Sequence, residues 1–169
     1  MNKVCTLVVV LAVTVGSALS QGVFSANLNG VSEIPPNSSQ SVGAGSLTLA
    51  GNALSFSVTA LLLGGSIPVD AGVFGPATPA QIGPMIFDLG VPTLTPVGGN
   101  LFAAYSGVAN LTPAQVSQVL ADLTYAEVVT QEYPAGEIRG QITLVPEPSS
   151  VMLLGVGSVM FFLQRRKKA

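Results

Sequence analysis

Two alternating runs joined by a two-residue turn constrain the fold of this chain more than any other segment. Ser46-Leu47-Thr48-Leu49-Ala50 and Ala53-Leu54-Ser55-Phe56-Ser57-Val58-Thr59-Ala60 alternate apolar with small polar residues, the period of a strand with one face buried. Gly51-Asn52 lies between them, and both residue types tolerate the positive φ that tight hairpin turns need. The segment predicts an antiparallel hairpin with Leu47, Leu49, Leu54, Phe56 and Val58 on one core face.

An isolated hairpin is marginal in water, so its apolar face must be covered by other elements. Phe24, Ala26 and Leu28 alternate with Ser25 and Asn27, which predicts an earlier strand. Residues 30–40, around Pro35-Pro36, read as loop. Further extended runs occupy 85–89, 101–105, 125–130 and 137–144. In the last, Ile138, Ile142 and Leu144 are expected to face in, and Arg139, Gln141 and Thr143 to face out. One helix interrupts the pattern. Thr112-Pro113-Ala114-Gln115 combines an N-cap, proline at the first helical position and a capping-box glutamine. Val116, Val119, Leu120 and Leu123 follow at helical spacing, predicting about three turns against the sheet. The expected class is all-β: an antiparallel β-sandwich or Greek-key barrel with one short helix, flanked by an N-terminal signal helix and a C-terminal hydrophobic helix.

The flanking segments differ in kind from this body. Lys3 precedes an apolar run from Val4 to Val15, and Ala18-Leu19-Ser20 offers the small residues read by signal peptidase. Residues 1–20 are therefore expected to be a signal peptide cut before Gln21. Its removal takes away Cys5, the one cysteine, so neither a disulfide nor a thiolate metal site is expected in the body. At the other end Pro146-Glu147-Pro148 leads into the apolar residues 151–163 and then Arg165, Arg166, Lys167 and Lys168. Four cations after a greasy segment resist translocation and hold the tail on the cytoplasmic side. As a helix, residues 151–163 span about 20 Å, short of a ~30 Å hydrocarbon core. Such a marginal anchor suits transient or permanent attachment to the membrane.

Residues 145–169 resemble the PEP-CTERM sorting signal of Gram-negative bacteria, with Pro146, Glu147 and Pro148 as the motif. That resemblance implies recognition by an exosortase-type sorting enzyme and delivery to the cell envelope or beyond.

Removing both segments changes the charge. Residues 21–144 hold Arg139 as their single cation against Glu33, Asp70, Asp88, Asp122, Glu127, Glu132 and Glu137, a net charge of -6. Such a surface repels phosphates, which excludes nucleic acid as a partner. The length suits one domain with one core.

Tyr133-Pro134-Ala135-Gly136-Glu137-Ile138-Arg139-Gly140-Gln141-Ile142 resembles the closing motif of the CHRD domain, the module first described in chordin. Residues 24–30 with 33–36 are similar to its opening, 83–89 to its middle strand, and 111–125 to its helix and following strand. Bacterial members of that family often carry His-x-His and a further histidine, which could hold a metal. On the matched positions this chain has Gly72, Phe74 and Val129, and it contains no histidine anywhere. With neither His nor Cys in the body, a metal site would have to use oxygen ligands alone.

Asp70, Glu127 and Glu132 are the carboxylates such a calcium site could draw on, although solvated surface acids are the favoured reading. Facing carboxylates for glycoside hydrolysis are not legible in so few acids. Nucleophilic catalysis lacks a base, since the body has no histidine and no lysine. Glu137 and Arg139, two apart in a strand, share a face. They suggest an anion clamp or, more in keeping with sheet surfaces, a structural ion pair or a cross-strand partner for another acid. Tyr105, Tyr125 and Tyr133 would serve as packing residues sooner than as a sugar-stacking platform. The sequons at Asn37 and Asn110 carry little weight in a bacterium.

The functional expectation is an exported, non-enzymatic protein without cofactor. It would act structurally or as an interaction module at the cell envelope or in an extracellular polysaccharide matrix. The rival reading is a metal-binding or enzymatic protein on a superoxide-dismutase-like sandwich, disfavoured by the missing His and mature Cys.

Overall fold

The computed structural model describes residues 21–146. The expectations for residues 1–20 and for 147–169, including Glu147, Pro148, the hydrophobic segment and the basic tail, lie outside the described residues. Among the described residues no helix is long and apolar enough to cross a membrane.

The strands are β1 (Gln21–Asn29), β2 (Val42–Ala50), β3 (Ala53–Leu62), β4 (Pro68–Phe74), β5 (Met85–Asp88), β6 (Thr93–Val97), β7 (Asn100–Asn110), β8 (Thr124–Thr130) and β9 (Ile138–Leu144). The helix α1 (Pro113–Leu120) lies between β7 and β8. All nine strands form one sheet in the order β5-β4-β8-β9-β1-β2-β3-β7-β6, antiparallel at every pairing. Phe56 of β3 meets Phe87 of β5 with ring centroids 5.5 Å apart. In a flat sheet those strands would stand roughly 29 Å apart at the usual inter-strand spacing. The sheet therefore curls over itself and encloses its core, an all-β architecture of the expected class.

The hairpin forms as its pattern dictates. Leu47 stands opposite Phe56 and Leu49 opposite Leu54, and all four are buried with Val58 in one cluster. Gly51 takes φ +63°, whereas Asn52 keeps out of the left-handed region, so the turn needs one glycine at its first central position. Phe24, Ala26 and Leu28 join the same core from β1, and Val73, Ala126, Val128, Ile138 and Ile142 close it from β4, β8 and β9.

Several local expectations are corrected. The helix has eight residues, about two turns and not three. Its capping box forms, with Thr112 and Gln115 bonding reciprocally, but Asp122 at φ +55° turns the chain away. Leu120 is consequently exposed. Leu144 also lies exposed, at the end of β9 beyond the reach of the core. Two strands carry weak sequence signals. The sequence of β4, Pro-Val-Asp-Ala-Gly-Val-Phe, is interrupted by Pro68, Asp70 and Gly72, residues depleted in strands, but is held between β5 and β8. Pro96 interrupts β6, tolerated because β6 is an edge strand with every residue exposed.

Candidate functional site

The family-signature strand lies in β9, beside β8 and β4. Period two places Ile138, Gly140 and Ile142 toward the core and Arg139 and Gln141 on the opposite face. Across the ladder Arg139 stands opposite Glu127, and Glu127 opposite Gly72. Gln141 stands opposite Tyr125, and Tyr125 opposite Phe74.

This outer face is not open to solvent. Arg139 is only 2 % exposed, because residues 77–83 fold across it. The Arg139 guanidinium carbon lies 3.4 Å from the Tyr125 ring centroid, a cation–π contact. Its Nη2 donates to the carbonyls of Gln81 at 2.6 Å and Thr78 at 3.5 Å. Gln141 Nε2 donates to the carbonyls of Ala77 at 3.0 Å and Asp122 at 2.7 Å. The Gly83 amide donates to the Tyr125 hydroxyl at 3.3 Å, and Phe74 stacks on the Tyr125 ring at 5.2 Å and 11°. Burial pushes the Tyr125 phenol up, the Gly83 hydrogen bond opposing it. The expected outward orientation of Arg139 and Gln141 is thus corrected: they leave the core face but enter a second buried layer. Strand period sets the face and says nothing about what covers it.

Carboxylates surround this layer, with no close ion pair among the described residues. Glu33, 4 % exposed, sits against Gly136, where an ideal Cβ would lie 2.7 Å from a Glu33 carboxylate oxygen. Gly136 also has φ +118°, a conformation that side chains rarely adopt, so two constraints require glycine there. Burial foremost, and then the Glu127 charge, raise the Glu33 carboxyl to about 8, with Arg139 pulling the other way. Glu127 is raised for the same first reason, again against Arg139. Glu127 stands opposite Arg139 in the ladder, but the guanidinium gives its hydrogen bonds to the Thr78 and Gln81 carbonyls and not to a carboxylate. Glu137 precedes β9 and turns to the segment after β1. It accepts from the Ser39 hydroxyl at 2.8 Å and the Ser41 hydroxyl at 2.5 Å, while the Asn37 amide donates to the carbonyls of Gly136 and Glu137 at 3.0 Å each.

Gly140 completes the motif. An ideal Cβ there would overlap the Asn27 carbonyl oxygen and lie 2.7 Å from its carbon, so only glycine lets β9 approach β1 so closely. Each of Gly136, Glu137, Ile138, Arg139, Gly140 and Gln141 therefore has a structural task. Glu33, Asn37, Ser39 and Ser41 belong to this cluster, but the first three read in the sequence as loop and Ser41 follows it unassigned. The one visible signal at residues 37–41 is a run of uncharged hydrogen-bonding residues, which does not specify a distant partner.

The positions matched to family histidines do not fit a metal. The space beside Gly72 holds the Phe74 ring and the Met85 methyl, each 3.0 Å from where a Cβ would lie. Val129 stands opposite Asp70, and its side chain offers no ligand atom. Asp70, Glu127 and Glu132 do not converge either, since Glu132 accepts from the Ser66 hydroxyl at 2.9 Å beyond the end of β8. Among the described residues no three acids, histidines or cysteines are grouped to hold a metal ion. Tyr105 and Tyr125 are buried, so with Tyr133 they form no exposed platform.

Comparison with known families agrees with this architecture. The CHRD domain model matches residues 24–142, more than two thirds of the chain, and the PEP-CTERM protein-sorting motif matches residues 144–168. No curated protein and no solved structure matches. The sorting motif marks an exported protein handled by an exosortase-type enzyme, destined for the envelope or the extracellular space. The chain belongs to the CHRD domain family and carries a PEP-CTERM sorting motif after that domain.

Proposed function

We propose that the CHRD domain is a non-catalytic structural or interaction module, working at the cell envelope or in an extracellular polysaccharide matrix. The observation that carries this reading is that the polar side chains of the signature strand are engaged internally. Glu137 holds the 37–41 segment, Arg139 holds residues 78–81, and Gln141 holds Ala77 and Asp122. A general base for nucleophilic catalysis is also missing, with neither histidine nor lysine in residues 21–144. In this reading signal peptidase releases Gln21 as the mature N-terminus. Residues 151–163 then hold the chain in the membrane, with Arg165, Arg166, Lys167 and Lys168 on the cytoplasmic side, until or unless the sorting enzyme cuts.

Cell fractionation with mass spectrometry of the mature termini, joined to sedimentation with matrix polysaccharide, tests the reading. The expected product begins at Gln21, occurs in the envelope or extracellular fraction, and turns over none of a panel of glycan and ester substrates. A cytoplasmic product with intact termini, or turnover by the purified protein, refutes it.

A further inference from the structure

A second site lies away from the signature strand. A cavity of about 240 Å³ opens between β4, the end of β5 and the loop that follows it. Asp70 and Asp88 line it together with Pro68, Val69 and Val91, and Tyr105 reaches it from β7 across the core. Among the described residues no cation lines this cavity, and Arg139, the single cation of the body, is buried on Tyr125. Tyr105 is 2 % exposed and its hydroxyl has no hydrogen-bond partner, although a buried phenol ordinarily finds one. Burial, followed by the charges of Asp70 and Asp88, pushes that hydroxyl up to about 12, so the field of both carboxylates reaches the inner wall. Asp88 is already oriented, its Oδ1 accepting from the Gly90 amide at 2.7 Å.

Two acidic side chains in one cavity, with Tyr105 and its unpartnered hydroxyl in the wall behind them, call for a cationic ligand with hydrogen-bond donors. A bare metal ion fits poorly, since calcium takes six to eight oxygens and no third acid joins this pair. The walls add a further requirement. Val69 and Val91 are exposed and with Pro68 give the cavity an apolar side, matched by a carbon chain and not by a hydrated ion. We infer that this cavity binds a primary ammonium group on a short aliphatic stem. The ammonium donates to Asp70 and Asp88 and toward the Tyr105 hydroxyl, and the stem packs on Pro68, Val69 and Val91. This site goes beyond the proposed module role and stands independently of where the protein is delivered.

Calorimetric titration of the purified full chain with 1,5-diaminopentane at low ionic strength tests the assignment, with 1-pentanol and calcium chloride as separate arms. The expected result is saturable one-to-one binding of the diamine, weakened by added salt, and none of the alcohol. Asp70→Asn and Asp88→Asn should each reduce affinity about fivefold or more, as for a lost charge-assisted hydrogen bond. Tyr105→Phe should also reduce affinity while leaving the unfolding temperature unchanged or raised, because it removes an unsatisfied hydroxyl. Absence of saturable diamine binding, binding indifferent to both aspartate variants, or saturable calcium binding in place of the diamine overturns the proposal. Diamine affinity unchanged in Tyr105→Phe overturns the part given to the hydroxyl.

Discussion

Gly140→Ala tests the close approach of β9 to β1 most directly. The added Cβ would overlap the Asn27 carbonyl oxygen and lie 2.7 Å from the Asn27 carbonyl carbon and 3.0 Å from the Leu28 nitrogen. All three atoms are backbone, so no rotamer change relieves them. β9 must retreat by roughly 1 Å from the Asn27 oxygen to reach ordinary contact at 3.4 Å, against the pairings of Phe24 with Leu144, Ser25 with Thr143 and Asn29 with Arg139. Overpacking of this kind costs about 1–3 kcal/mol, and each ladder hydrogen bond lost adds about 1 kcal/mol. Lower chain entropy in the unfolded state offsets about 0.4–1 kcal/mol. The net expectation is a loss of about 2–3 kcal/mol, or a fall in Tm of about 8–12 °C for a domain of this size. Gly45→Ala is the matched control, for there the nearest atoms are the side chains of Ala26, Leu47 and Val58 at 3.4–3.6 Å. It should change stability by less than about 1 kcal/mol. Urea and thermal unfolding followed by circular dichroism measure both variants. If Gly140→Ala unfolds within about 0.5 kcal/mol of Gly45→Ala, the account of the β1–β9 approach is refuted.

Two further perturbations probe the covered layer. Glu33 titrates near 8 when folded and near 4.5 as an ordinary carboxyl, so between those values the folded state holds a proton that the unfolded state has released. Stability is full below about pH 4.5 and declines as pH rises toward 8, by at most about 1.4 kcal/mol per pH unit and less after solvent screening. Glu33→Gln should flatten that decline in denaturation measured at pH 5 and pH 8; an unchanged slope refutes the assignment to Glu33. Arg139→Lys keeps the charge but loses the flat contact with Tyr125 and the reach to two carbonyls. It should cost about 1–3 kcal/mol and raise hydrogen exchange at the Gly83 amide, whereas unaltered exchange there would mean that Arg139 does not hold residues 77–83.

Much of this protein was legible in residue order because its signals are local. Alternation in Ser46–Ala60 predicts the hairpin and its buried face, and Thr112 with Gln115 predicts the start of the helix. The helix end was less legible, since it depends on the turn at Asp122 and not on the apolar spacing of Leu120 and Leu123. The strands β4 and β6 were illegible for a related reason. Pro68, Asp70 and Gly72 in β4 and Pro96 in β6 disfavour a strand, and both segments become strands because neighbours supply the hydrogen bonds.

The sequence by itself determined the strand period, the face taken by each residue of β9, the acidic balance of the body and the sorting motif after it. Tertiary structure alone decided that Arg139 is buried, that Glu137 serves Ser39 and Ser41 and not Arg139, and that Asp70, Asp88 and Tyr105 share a cavity. The physical reason is that alternation is a property of one strand. Burial of an outer face, and convergence of acids from separate strands, depend on which distant segment lies across the sheet.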